Sequence, residues 1–291
     1  MKRNVMVTLL LTACASDYKV VADADALAGG LDTALDEEID AEEDEEEPVD
    51  PDAPVAQCDV TPDKVRPIIE TARWIGSEST DPNGEAIIDY TWTLVDRPSG
   101  SAAMMPGGTS ADRNGFETDL AGDYVGQLVV TNESGIESPP CEVTLTAEPV
   151  EALWVEMFWE NSGDDMDLHL LAPGGTLKTD TDCYYMNCTP SFGSGLDWGV
   201  TGETYDNPTL DLDDINLTGP ENINIESPED ASYTVIVHDH TSQTFTAGNA
   251  VTVNVRLDGE LVWSDTRIIV GEDTYTEFAI INVAEGTVEA L

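Results

Sequence analysis

Basic residues are scarce in this 291-residue chain: 11 Lys and Arg face 59 Asp and Glu, for a formal charge of −48. A surface this acidic repels phosphate backbones, which excludes nucleic acid as a partner and favours cations. Histidine is rarer still. The three residues His169, His238 and His240 match no zinc-motif spacing. No Gly-x-Ser-x-Gly elbow is present for a serine hydrolase. Carboxylate pairs for glycoside hydrolysis would need a fixed separation, which an abundance of Asp and Glu does not supply. Cysteine is limited to five residues, with no CxxC pair. No apolar run approaches the roughly 18 residues of a transmembrane helix, and no amphipathic helix of useful length occurs.

What is there begins at the N-terminus. Lys2 and Arg3 precede an apolar run from Val5 to Leu11, then Leu11-Thr12-Ala13-Cys14. A basic end, a short apolar core and small residues before a cleavage point form a secretory signal over residues 1–13. The segment resembles the lipobox of bacterial lipoproteins. That resemblance implies lipidation of Cys14, a membrane partner through the lipid alone, and residence in the cell envelope. Ala15 and Ser16 lack the Asp that retains some lipoproteins at the inner membrane, which points to the outer membrane or cell surface. Cleavage would also remove Lys2 and Arg3 and leave the mature chain more acidic. With Cys14 lipidated, four cysteines remain. Cys58–Cys141 and Cys183–Cys188 are the expected disulfides, each within one expected domain.

Residues 14–57 read as a disordered acidic tether. Between Asp36 and Asp52, 12 of 17 residues are Asp or Glu, and prolines stand at 48, 51 and 54. Self-repulsion and stiffness keep such a segment extended and without a core. Residues 58–149 and 152–291 read as two folded domains. Alternation at Tyr90-Trp92-Leu94 and Tyr124-Leu128-Val130, with Gly, Pro and Asp turns between, predicts antiparallel strands. Asp81-Pro82-Asn83-Gly84, Tyr90-Thr91-Trp92 and Ala121-Gly122-Asp123-Tyr124 resemble a PKD domain, which implies an immunoglobulin-like spacer or interaction module without catalysis. The second domain is also predicted all-β, as an antiparallel sandwich. Its expected strands are 153–159, 167–171, 233–238, 250–257, 260–263, 267–270 and 275–283, with Asp258-Gly259 as a hairpin turn.

This second domain carries the candidate chemistry. In Asp165-Met166-Asp167-Leu168-His169-Leu170, strand alternation gives one polar and one apolar face. Asp197, then Asp211, Asp213 and Asp214, then Glu221 follow in separate segments. Hard cations such as Ca²⁺ take six to eight oxygen ligands, and carboxylates on separate β loops supply them. The set Asp165, Asp167, Asp197, Asp211, Asp213, Asp214 and Glu221 is therefore the expected metal site, with Ca²⁺ as cofactor. An EF-hand starting at Asp211 fails, since Asn216 and Asn222 stand where Gly and Glu are needed. The competing reading is that these aspartates cap turns. Asp165-Met166-Asp167-Leu168-His169 and Gly219-Pro220-Glu221-Asn222 resemble the DUF2135/YfaP-like group, which implies an exported β-domain of undefined activity. Trp198, Tyr184, Tyr185 and Tyr205 lie in loops between these acids, as sugar-stacking groups or as anchors of a small core.

Three functional readings follow. The first is a non-catalytic, lipid-anchored binding or adhesion protein for a polysaccharide or surface protein. The second is an envelope hydrolase, or its accessory subunit, with the acidic cluster as active site. The third is a structural spacer. The oligomeric state is not encoded in any motif.

Overall fold

The alternating strands of the sequence close into two β-sandwiches in a computed structural model, which describes residues 50–190, 195–215, 217–241 and 248–291. Cys14, the signal segment and the tether up to residue 49 lie outside the described residues. Among the described residues no helix is long and apolar enough to cross a membrane.

The first sandwich comprises β1 (Asp59–Thr61), β2 (Lys64–Val65), β3 (Thr71–Ile75), β4 (Ile87–Asp96), β5 (Arg113–Glu117), β6 (Gly122–Asn132) and β7 (Cys141–Ala147). A three-stranded sheet β1-β3-β5 faces a four-stranded sheet β2-β7-β6-β4, and only β2–β7 is parallel. Trp74, Trp92, Phe116 and Tyr124 fill the space between. Trp74 lies 5.8 Å from Trp92 and 5.3 Å, edge-on, from Phe116. Trp92 is anchored further by Nε1–H donating to Ala111 O at 2.8 Å. The Asp81–Gly84 turn forms as its chemistry requires: Asn83 N–H donates to Asp81 Oδ1, and Gly84 takes φ 78°. The expected Cys58–Cys141 bridge is present and joins the chain just ahead of β1 to β7. The sandwich also reaches back beyond residue 58. Ala53 is buried, and Val55 bridges Thr80.

The second sandwich contains β8 (Leu153–Trp159), β9 (Met166–Leu171), β10 (Asp182–Cys183), β11 (Thr209–Leu212), β12 (Glu221–Ile225), β13 (Ser232–Asp239), β14 (Asn249–Leu257), β15 (Glu260–Ile269), β16 (Thr274–Asn282) and β17 (Thr287–Ala290). Sheets β10-β9-β13-β16-β17 and β11-β12-β8-β14-β15 pack face to face. Asp258 and Gly259 both take positive φ, the backbone a two-residue hairpin needs. Two expectations change. Residues 260–263 and 267–270 belong to one continuous strand, β15, because Ser264–Thr266 keep pairing with β14. Glu221-Asn222, expected in a loop segment, opens β12, where Glu221, Ile223 and Ile225 share the inward face.

Strand β8 is buried on both faces, which explains its unbroken run Leu-Trp-Val-Glu-Met-Phe-Trp. Its inward residues join the core, while Trp154 and Glu156 are covered by the first sandwich. Glu156 Oε2 accepts from Ala121 N–H at 3.1 Å and from Trp154 Nε1–H at 3.0 Å, and Arg256 donates to Ala121 O at 3.1 Å. The two cores thus meet through a buried polar contact within one compact unit, Pro48–Leu291.

Candidate metal centre

The site grows from a buried stretch of sheet edge that the short β10 leaves unpaired. Strand β10 pairs only with Leu170 and Leu171, so among the described residues the earlier part of β9 has no strand neighbour on that side. Glu221, at the start of β12 in the opposite sheet, reaches this edge, and its Oε2 accepts the Leu168 N–H at 2.7 Å. Its other oxygen, Oε1, is buried and accepts no bond from an N–H or hydroxyl among the described residues. Beside it stand Asp167 from β9 and Asp213 from just after β11. One oxygen from each of Asp167, Asp213 and Glu221 lies within 4.8 Å of the other two. No Lys or Arg pairs with any of the three among the described residues.

The electrostatics follow from this crowding. Burial, and then the Asp167 charge, push the Glu221 carboxyl well above the usual range, and the Leu168 N–H only partly opposes them. Asp213 sits at the exposed rim, yet its carboxyl is also pushed up, by desolvation and then by Asp167, against the hydrogen bond to Glu221. Three carboxylates this close are stable together only with protons or a cation among them.

Asp167 also touches a second group. Its Oδ2 lies 3.0 Å from His238 Nδ1, and His238 Nε2 lies 3.1 Å from Asp273 Oδ1. Burial alone would lower the His238 pKa, but the bonds to Asp167 and Asp273 outweigh it and hold the ring above the usual histidine value. His169 Nδ1 lies 2.9 and 3.0 Å from the two oxygens of Asp182. Tyr184 stacks on His169 at 5.0 Å, and Tyr275 stacks on His238 at 4.1 Å. The face of β9 that the sequence presented as polar is therefore not wet: all six residues of the strand are buried.

Of the seven expected ligands, the structure brings Asp167, Asp213 and Glu221 together. Asp165 stands near them, its Oδ2 3.7 Å from His240 Nδ1. The other three do local work. Asp197 Oδ1 accepts from Gly202 N–H at 2.8 Å. Asp214 accepts from the N–H groups of Leu217 and Gly219, holding the loop that leads into β12. Asp211 accepts from Asn224 Nδ2 at 2.8 Å. The expected shared face of Asp211 and Asp213 is lost because a β-bulge interrupts the register between Leu210 and Leu212. Among the loop aromatics, Trp198 and Tyr184 are buried, Trp198 stacking near Tyr233, whereas Tyr205 is exposed. Cys183–Cys188 is bridged and belongs to the core. Asp182, in β10, and Asp273, in the turn before β16, orient the two histidines but gave no sequence signal, since they lie 13 and 35 residues from their partners and meet them only through the fold.

No protein-family model matches the chain, and no curated protein matches it. Among the solved structures that align is one described as the structural basis for the promiscuous specificity of carbohydrate-binding modules from the beta-sandwich superfamily. It shares 13% identity over 80% of this chain and 86% of that one, with a TM-score of 0.28. A score that low carries no argument about ligand or activity, so the function of this all-β protein rests on its own geometry.

Proposed function

We propose that this protein is a lipid-anchored, non-catalytic binding protein of the cell envelope whose second sandwich holds Ca²⁺ between Asp167, Asp213 and Glu221. The observation that carries the cation is Glu221: fully buried, with one oxygen on the Leu168 N–H and the other, reached by no N–H or hydroxyl, among two further carboxylates. An all-oxygen set suits a hard cation. Asp213, at the exposed rim, leaves room for water or backbone oxygens to complete the shell. A binding rather than a hydrolytic role is supported by His238, whose two ring nitrogens are engaged by Asp167 and Asp273. The ligand we assign is a polysaccharide. A groove at the junction of the two sandwiches, lined by Ser99, Thr252, Ser264 and Thr266 around Phe158, offers hydroxyl groups beside an aromatic ring. The lipid on Cys14 and the acidic tether would project this surface from the outer membrane.

The test is a thermal melt of the purified full-length protein with Ca²⁺ and then with chelator. At 100 times its dissociation constant, a bound cation adds about 2.7 kcal/mol. An unmoved midpoint would remove the calcium assignment.

A further inference from the structure

Strands β9 and β13 pair so that His238 lies opposite Asp167 and Ile236 lies opposite His169. Asp167, His169 and His238 therefore occupy one face of two neighbouring strands. One ligand atom from each falls within 4.8 Å of the other two, and all three residues are buried. Asp182 holds His169 at Nδ1, leaving Nε2 buried and without a hydrogen-bond partner. Asp273 holds His238 at Nε2, so that Nδ1 faces Asp167. In each ring one nitrogen is held by a carboxylate from outside the group, Asp182 for His169 and Asp273 for His238. For His169 this is how carboxylates stand behind metal-bound histidines, whereas His238 Nδ1 holds a proton towards Asp167 until a cation replaces it.

We infer that Asp167, His169 and His238 form a second metal site, for a borderline divalent cation of the zinc class. Two imidazole nitrogens and one carboxylate oxygen match that class, and hard Ca²⁺ does not prefer nitrogen. On binding, the cation takes the place of the proton between His238 Nδ1 and Asp167 Oδ2, and that proton leaves to solvent. Tyr184 and Tyr275 stack on the two rings and close the site against solvent, which makes the bound ion structural. The site shares Asp167 with the oxygen trio but does not require that trio to be filled. The sequence concealed it because cross-strand pairing, not spacing along the chain, brings its members together.

The experiment titrates metal-free, full-length protein with Zn²⁺ alone, following the ring nitrogens by NMR. With only three histidines in the chain, every ring can be assigned. We expect His169 Nε2 and His238 Nδ1 to shift on binding, with His240 moving least. D273N alters an exposed residue and should weaken Zn²⁺ binding roughly ten- to a hundredfold. H169Q should abolish specific binding, whereas D213N and E221Q should leave it in place while removing the calcium response. Zn²⁺ binding that leaves the His169 ring unshifted in the wild-type protein, or equal affinity in the wild type and D273N, overturns the proposal. A calcium-insensitive melt together with a shifted His169 ring would remove the oxygen site and sustain this one. The reverse pair of results would do the opposite.

Discussion

Replacing Glu221 by Gln isolates the central physical claim, because the two side chains have the same shape and differ in charge. In chelator, once its proton is lost, wild-type Glu221 keeps one oxygen buried, with no N–H or hydroxyl donor, beside two acids. Such a group costs about 1–3 kcal/mol. In the variant, the amide still accepts the Leu168 N–H and can donate its own N–H to Asp167 or Asp213. E221Q should therefore be more stable than the wild type in chelator by about 1–3 kcal/mol, or about 2–12 °C for a folded unit of this size. In saturating Ca²⁺ the order reverses: the wild type gains about 2.7 kcal/mol at 100 times the dissociation constant, and the variant gains nothing. The pH dependence has a definite sign. The folded state holds the Glu221 proton above the ordinary value of 4.5, whereas the unfolded chain releases it there. The folded state binds more protons in that window, so wild-type stability in chelator falls as pH rises through it. E221Q lacks that contribution, and its advantage should shrink towards acid pH. Melts followed by circular dichroism across that range decide the matter. A variant less stable than the wild type in chelator, or one that still responds to Ca²⁺, would refute the reasoning.

Three further outcomes are expected. Cys14→Ser should move the protein from the membrane to the soluble fraction without changing its melt; retention on membranes would argue against the lipid anchor. Removing the Cys58–Cys141 bridge, whose partners are 83 residues apart, should cost about 4.5 kcal/mol in the chain-entropy model, read as a lower denaturant midpoint. Arg256→Ala removes the bond to Ala121 O and the cation nearest buried Glu156. It should cost about 2 kcal/mol and speed proteolysis near residues 148–152, and an unchanged cleavage rate would show that the polar contact does not hold the sandwiches together.

Much of the fold was legible because strand alternation is a local signal. Tyr90-Trp92 and Tyr124-Leu128-Val130 marked β4 and β6, and Asp258-Gly259 marked the β14–β15 hairpin. Trp74, the largest fully buried side chain of the first core, takes its place only through Trp92 and Phe116 on other strands. Within the site, the Asp165–Leu170 pattern was legible as a strand, but the burial of its polar face was not, because Tyr184 and Tyr275 cover it from remote segments. Asp211 looked equivalent to Asp213 until the bulge turned it towards Asn224.

The sequence by itself determined the all-β class, the pairing of four cysteines within two halves of the chain, and the wealth of oxygen ligands. Each of these follows from composition or from a period of two. Only the tertiary structure decided which acids meet. Asp167, Asp213 and Glu221 come from three strands or strand ends in two sheets, and the gap beside β9 that draws Glu221 inward exists only once β10 has stopped pairing. Residues that converge through sheet register carry no common spacing along the chain, so their meeting is a property of the fold.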